Sequence, residues 1–346
     1  MRGVRAGLVF LTLVLVAPPV ASSGLRIAEL VLPSSALSAV EAAPPDTAGL
    51  AALTPEELFV RASSAELQFS ELVRPSRRLL IRDHERTLPY LVSVLGTDGA
   101  RERHALEDIL VSIGYPAVEP LIAGLEAELA NEESTRGVRM AVRTLGMIGD
   151  PSATAALAGA AAHPDWKVRG SAAGALGRIG TARSLPELRN LLADGNEIVR
   201  TGAAVGMRRV AGNSGEGLPD AIVAALVEAL DDDYYAVRMS AVSALAAAGD
   251  VAVERLVERA RGPASSGGRL AVKALGGIGG AKTKRILREL LASDDWVVRA
   301  YAAEGLGQER LSARTKRALV ALASDEKHPF VRLMIERALP GEGVSP

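Results

Sequence analysis

The 346 residues carry 40 Lys and Arg against 41 Asp and Glu, a formal net charge of −1, so the chain lacks the global positive field that non-specific nucleic-acid binding needs. Apolar residues make up 48% of the chain but aromatics only 3%. The core must therefore be assembled from Ala, Leu, Val and Ile, which suits closely packed helices and argues against an all-β fold. The absence of cysteine removes disulfides, thiolate nucleophiles, iron–sulfur clusters, most structural zinc sites and the lipid attachment of a lipoprotein.

At the N-terminus, Arg2 and Arg5 form a positive region, Gly7 to Ala17 is an uncharged apolar run, and Val20-Ala21-Ser22 offers small residues for cleavage. Residues 1–22 are expected to be a secretory signal peptide, placing the mature chain in the periplasm, the cell envelope or the extracellular space. The apolar run falls short of the roughly 20 residues a spanning helix needs. Pro18-Pro19 breaks it further. Membrane attachment is expected only if this segment is retained as an anchor. Residues 23–53, rich in Ser, Ala and Pro, are expected to be a flexible tether.

Thr54-Pro55-Glu56-Glu57 is a helix start, with a hydroxyl to accept from exposed N–H groups, Pro at N1 and carboxylates near the positive end of the dipole. From here to 340 the dominant feature is self-similarity. Val168-Arg169 to Leu176, Val237-Arg238 to Leu245 and Val298-Arg299 to Leu306 are one unit written three times. Aligning that last apolar residue gives the anchors Leu110, Leu145, Leu176, Met207, Leu245, Leu275, Leu306 and Leu339, a period of about 31 residues with two insertions. The longest interval holds Gly212 to Gly217, expected to be a flexible loop between helices.

Each unit predicts two helices. The first carries small and apolar residues at helical spacing and stops at a glycine (Gly114, Gly149, Gly180, Gly249 or Gly279) suited to the left-handed C′ position. The second is amphipathic, sometimes opened by a cap such as Asp150-Pro151. Neither buries its face alone, so neighbouring pairs must stack. Residues 341–346 are expected to form a disordered tail.

The pattern Asp-x-x-Val-Arg-x-x-Ala-Ala-x-x-Leu-Gly-x-Ile-Gly, best matched by Asp165 to Gly180, resembles the short HEAT-like repeat of phycobilisome lyases. The resemblance spans roughly Leu79 to Leu339 and implies an all-α, armadillo-type, right-handed α–α superhelix of about eight helix pairs. It specifies fold more than function, because such folds host many roles. HEAT-like families use Asp and Arg side chains to tie successive turns together. The arginines seven residues before the anchors (Arg103, Arg169, Arg200, Arg238, Arg299 and Arg332), with Arg139 and Arg269 displaced by one, are accordingly expected to be structural. Nearby Asp165, Glu197, Asp233 and Asp295 are the acidic candidates, and Trp166 and Trp296 are expected to cover seams between repeats.

No catalytic constellation is legible. A di-iron hydroxylase of this repeat class would require several His-Glu pairs, and only His84-Glu85 is present. His104 and Asp108 could meet across one helical turn, and Gly276 to Gly280 is expected to be a helix-ending turn. The expectation is a non-enzymatic, cofactor-free scaffold or adaptor for a protein partner. The alternative is an accessory factor that handles a cofactor or modifies a client protein, as the lyase resemblance implies.

A docking face follows from the second helices. Twelve residues beyond each anchor lie Ile122, Leu157, Leu188, Val257, Leu287 and Ala318, expected to point into the core. Ten residues beyond the anchor, roughly 200° around the helix, Arg255, Arg285 and Lys316 are expected to form a solvent-facing basic column. Arg259, Lys282, Arg288 and Arg317 widen it, while Glu119, Glu126, Glu128, Glu132 and Glu133 make the N-terminal end acidic. The column is expected to steer an acidic protein segment or an anionic envelope polymer, but no nucleic acid, onto the C-terminal half.

Overall fold

The computed structural model describes residues 49–66, 70–130, 135–215, 217–308 and 311–340, and every regular element among them is helical. The expected signal peptide, most of the expected tether and the expected tail lie outside the described residues. The described helices belong to one compact unit, Asp46–Pro346.

Helix α1 (Pro55–Ser63) starts on a complete capping box: the Glu57 N–H donates to Thr54 Oγ1 at 3.2 Å, and the Thr54 N–H donates to Glu57 Oε2 at 2.9 Å. Order extends slightly further back, because a 3-10 turn at Leu50–Ala52 buries Leu50. Next come α2 (Val73–Arg82) and α3 (His84–Ser93). Leu80 on α2 is fully buried and stands 30 residues before the anchor Leu110. This helix pair is a further repeat, with Val73-Arg74 displaced by one position as Val138-Arg139 are before Leu145.

Two rows follow. The first helices are α4 (Ala100–Ile113), α6 (Thr135–Ile148), α8 (Trp166–Ile179), α10 (Glu197–Ser214), α12 (Tyr235–Ala248), α14 (Ser266–Ile278), α16 (Trp296–Gly307) and α18 (Pro329–Ala338). The second helices are α5 (Val118–Leu129), α7 (Thr154–Ala161), α9 (Leu185–Leu192), α11 (Asp220–Glu228), α13 (Val253–Arg261), α15 (Gly280–Leu290) and α17 (Ala313–Asp325). All the aligned anchors, Leu110 to Leu339, are buried in one continuous core. The chain is an all-α solenoid.

The rows are spaced differently. From α6 onward first helices pack broadly against one another, whereas successive second helices touch only sparsely. Small side chains allow the close row. A Cβ added at Gly177 would stand 2.5 Å from Gly206 Cα, one at Gly276 2.8 Å from Gly305 Cα, and one at Gly146 2.6 Å from Ala175 Cα. In each case the residue after one anchor meets the residue before the next, so the backbones are in contact. A stack with one row closer than the other bends toward the close row, leaving the second helices on the open side.

The helix-ending glycines Gly114, Gly149, Gly180, Gly249 and Gly279 all have positive φ between 65° and 78°, but only Gly180 is given the expected left-handed helical conformation, at ψ 25°, whereas Gly114, Gly249 and Gly279 have ψ of −134°, −143° and −163°. The expected loop at Gly212–Gly217 needs correction. Helix α10 runs on to Ser214 and ends at Gly215 with φ 63°. Ala211 occupies the place of the terminating glycine, and buried Val210 and Ala211 carry an additional turn.

Candidate partner-binding surface

Three of the arginines that precede the anchors, Arg169, Arg200 and Arg299, form a ladder inside the close row, while Arg103 donates to the carbonyls of Thr97 and Asp98. Arg169 donates from Nε to Asp194 Oδ2 at 2.6 Å and from Nη2 to Asp194 Oδ1 at 2.9 Å. Arg200 makes the same fork to Asp232 at 2.7 and 3.0 Å, and Arg299 to Glu326 at 2.7 and 2.9 Å. The third arm turns back: Arg169 Nη1 donates to the carbonyls of His163 and Pro164, Arg200 Nη1 to that of Asp194, and Arg299 Nη1 to those of Ser293 and Asp294. Each of these arginines thus fixes its own loop and grips the loop of the next repeat.

The acidic partners differ from those expected. The carboxylate comes from the following repeat and stands six residues before that repeat's own arginine, as Asp194 before Arg200, Asp232 before Arg238 and Glu326 before Arg332. There it also accepts a backbone N–H, from Asn196, Tyr234 and His328 respectively. Asp165 and Asp295, two residues further on, are N-caps that accept from Lys167 and Val297. Arg269, displaced by one position, reaches Asp295 at 2.6 Å because Ser293 occupies the preceding acidic place.

These contacts set the carboxylate electrostatics. Hydrogen bonding from Arg169 holds the Asp194 carboxyl below its ordinary range against the opposing effect of burial, and Arg299 does the same for Glu326. At Asp232 and Asp295 burial is the largest influence and pushes upward, but hydrogen bonds from the arginine and the backbone outweigh it. Such saturated arginines are poor candidates for catching a ligand.

The basic column on the second helices is more heterogeneous than its spacing suggests. Arg255 is half-buried and forms a fork to Asp220 at 2.6 and 2.5 Å. Arg259 pairs with Asp231, Lys282 lies 3.7 Å from Glu254, and Arg288 donates to Thr315 Oγ1 at 3.2 Å. Arg285, Lys316 and Arg317 are exposed, and Arg285 and Arg317 make no ion pair among the described residues. The free positive charge therefore narrows to α15 and α17.

The core register divides in the same way. Leu157, Leu188 and Leu287 point inward as expected, but Ile122, Val257 and Ala318 are only half-buried. Leu121, Leu256 and Leu319 take their places with no exposure, a shift of one residue or about 100° of rotation. In α13 this shift puts Arg255 beside the core leucine and turns it against α11, where Asp220 neutralises it.

Trp166 packs on the core, whereas Trp296 is 40% exposed and stacks on His328 of the next loop at 3.9 Å between ring centroids. Trp296 therefore bridges one seam and remains accessible. His104 Nδ1 lies 2.7 Å from the Ala100 carbonyl oxygen, while Asp108 pairs with Arg77. Gly279 and Gly280 form the expected helix-ending turn. Among the described residues no three acidic or histidine side chains converge as a metal-binding set.

With this geometry the chain falls among the α-solenoids built from stacked helix pairs. The HEAT repeats family matches residues 118–208 and 254–340, and the chain belongs to that family. A structure of Kap95p that describes its binding to RanGDP is similar at a TM-score of 0.54 and 13% identity, covering 90% of this chain and 47% of that one. Importin beta is similar at 0.52 and 15% identity, covering 82% of this chain and 44% of that one. The chain thus spans less than half of either of these structures. The CpcE and CpcF complex of phycocyanin lyase from Nostoc sp. shares 26% identity over 45% of this chain and 96% of that one, at a TM-score of 0.40. No curated protein matches.

Proposed function

We propose that this chain is an exported adaptor, a HEAT-repeat solenoid outside the cytoplasm that holds an acidic segment of a protein partner against its C-terminal half. The solenoid is suited to protein binding because it offers a long surface on a rigid stack. The observation that carries the reading is the pair Arg285 and Arg317, exposed on successive second helices and without an ion pair among the described residues. Their fields extend over a Debye length of about 8 Å in physiological salt, enough to steer an acidic chain. Export is supported by the charged, apolar and small-residue succession at the N-terminus.

Two measurements test this reading. Mass spectrometry of protein from its native cells should find a chain that starts near Ser23, and intact Met1 to Ala21 on a soluble cytoplasmic species would overturn export. Partner capture from envelope extract should weaken as salt rises and should be lost for Arg285→Glu with Arg317→Glu. Capture that is unaffected by both would exclude this surface.

A further inference from the structure

The ladder has a missing rung. Arg238 is held like its counterparts, with Nη1 donating to the carbonyls of Asp232 at 2.7 Å and Asp233 at 2.9 Å. In Arg169, Arg200 and Arg299 that grip leaves Nε and Nη2 aimed at a carboxylate of the next repeat. The next loop here is Gly262-Pro263-Ala264-Ser265, in which Pro263 stands six residues before the displaced Arg269 and Gly262 takes the place that Asp194, Asp232 and Glu326 hold relative to their anchors, so no acid stands at either position. Among the described residues Nε and Nη2 of Arg238 consequently have no hydrogen-bond partner.

The opening is accessible. Gly262, Pro263 and Ala264 are exposed, and Arg238 itself is half-buried rather than enclosed. Arg139 offers a contrast: its Nε also lacks a partner but is buried, and His163 fills the facing loop position with 8% exposure. Beside Arg238 stand Tyr234 and Tyr235, 49% and 67% exposed, with the Arg238 guanidinium 5.8 Å from the Tyr235 ring and that of Arg200 5.4 Å from the Tyr234 ring. The pre-oriented guanidinium edge provides the planar, bidentate chemistry that recognises a carboxylate, and the two exposed rings beside it offer apolar surface for the rest of a bound segment.

We infer that Arg238 is a receptor for a carboxylate side chain of an acidic protein segment, which completes the ladder in trans against Tyr234 and Tyr235. This rests on the reading of the chain as a protein-binding solenoid, but it places a contact at the edge of the close row rather than on α15 and α17. The fold keeps the guanidinium oriented by its backbone bonds before the partner arrives, so little ordering is needed on binding.

The test uses the full chain, with fluorescein-labelled decaglutamate as the probe and fluorescence anisotropy at low salt as the readout. Arg238→Gln should weaken binding about tenfold, the effect of losing one charged hydrogen-bonded pair. Pro263→Asp, which supplies the missing acid within the chain, should weaken it similarly. Pro263→Asp should also raise the Tm by about 2 °C in the native background and have no such effect beside Arg238→Gln. Wild-type protein that ignores the probe, or binding that survives Arg238→Gln and is lost only with Arg285→Glu and Arg317→Glu, would overturn the receptor while leaving the adaptor reading in place. A Tm unaffected by Pro263→Asp in both backgrounds would overturn the vacant rung itself.

Discussion

Arg169 grips Asp194 across 25 residues of sequence, with Nε and Nη2 at 2.6 and 2.9 Å from the two carboxylate oxygens and the side chains only 21% and 9% exposed. The pair spans the boundary between repeats, and Asp194 also braces the loop in which Arg200 begins the next rung. Removing one partner leaves the other without its charged fork in a mostly dry site.

Arg169→Ala should therefore destabilise the fold by about 1 to 3 kcal/mol. Urea unfolding of Arg169→Ala, Asp194→Ala and the double variant should show the second substitution costing much less than the first. Additive losses would mean that the fork contributes nothing beyond its separate side chains.

Acid should weaken the same joints. Asp194, Asp232, Asp295 and Glu326 all have folded pKa values below their ordinary ones. The unfolded chain then binds more protons than the folded chain wherever these groups titrate. Their contribution is complete above the ordinary carboxylate pKa of about 4 and is lost progressively as pH falls through the folded values. Thermal unfolding between neutral pH and pH 3 should show a Tm that falls with acid, and Asp194→Asn should flatten that fall while lowering the Tm at neutral pH.

The close row makes a second, purely steric prediction. Gly177→Ala places a methyl group 2.5 Å from Gly206 Cα, so the two backbones must separate at a cost of about 1 to 3 kcal/mol. Gly174, three residues earlier on the same helix, has only the end of Arg178 within 4 Å. Gly174→Ala should therefore stabilise by about 0.5 to 1 kcal/mol through helix propensity. Differential scanning calorimetry should move the two variants in opposite directions.

What was legible in the sequence was what lies close together along the chain. The Thr54 capping box, the anchors and the terminating glycines are set by a few neighbouring residues, and each stands at the place read for it. The ladder partners were less legible, because Asp165 and Asp295 lie nearest their arginines but serve mainly as caps. The repeated acid six residues before Arg200, Arg238 and Arg332 was the available signal. The close packing of Gly177 on Gly206 was written in the Leu-Gly of the motif. The repeat around Leu80 is less legible because its Val73-Arg74 is displaced by one and Pro75, Arg77 and Arg78 stand where the other units carry small residues. The basic column was legible as a spacing but not as a charge, since Asp220 and Asp231 come from another part of the chain and a one-residue shift decides what they meet.

Arg169, Arg200 and Arg299 hold the stack together, whereas Arg285 and Arg317 are the arginines proposed to meet the partner. The most direct test compares Arg169→Ala with Arg285→Glu combined with Arg317→Glu, reading the urea midpoint and low-salt partner capture for each protein. Arg169→Ala should lower the midpoint while its folded fraction captures partner normally, and the paired reversal should keep the midpoint and lose capture. Normal stability with lost capture in Arg169→Ala, together with intact capture in the paired reversal, would contradict this division of roles.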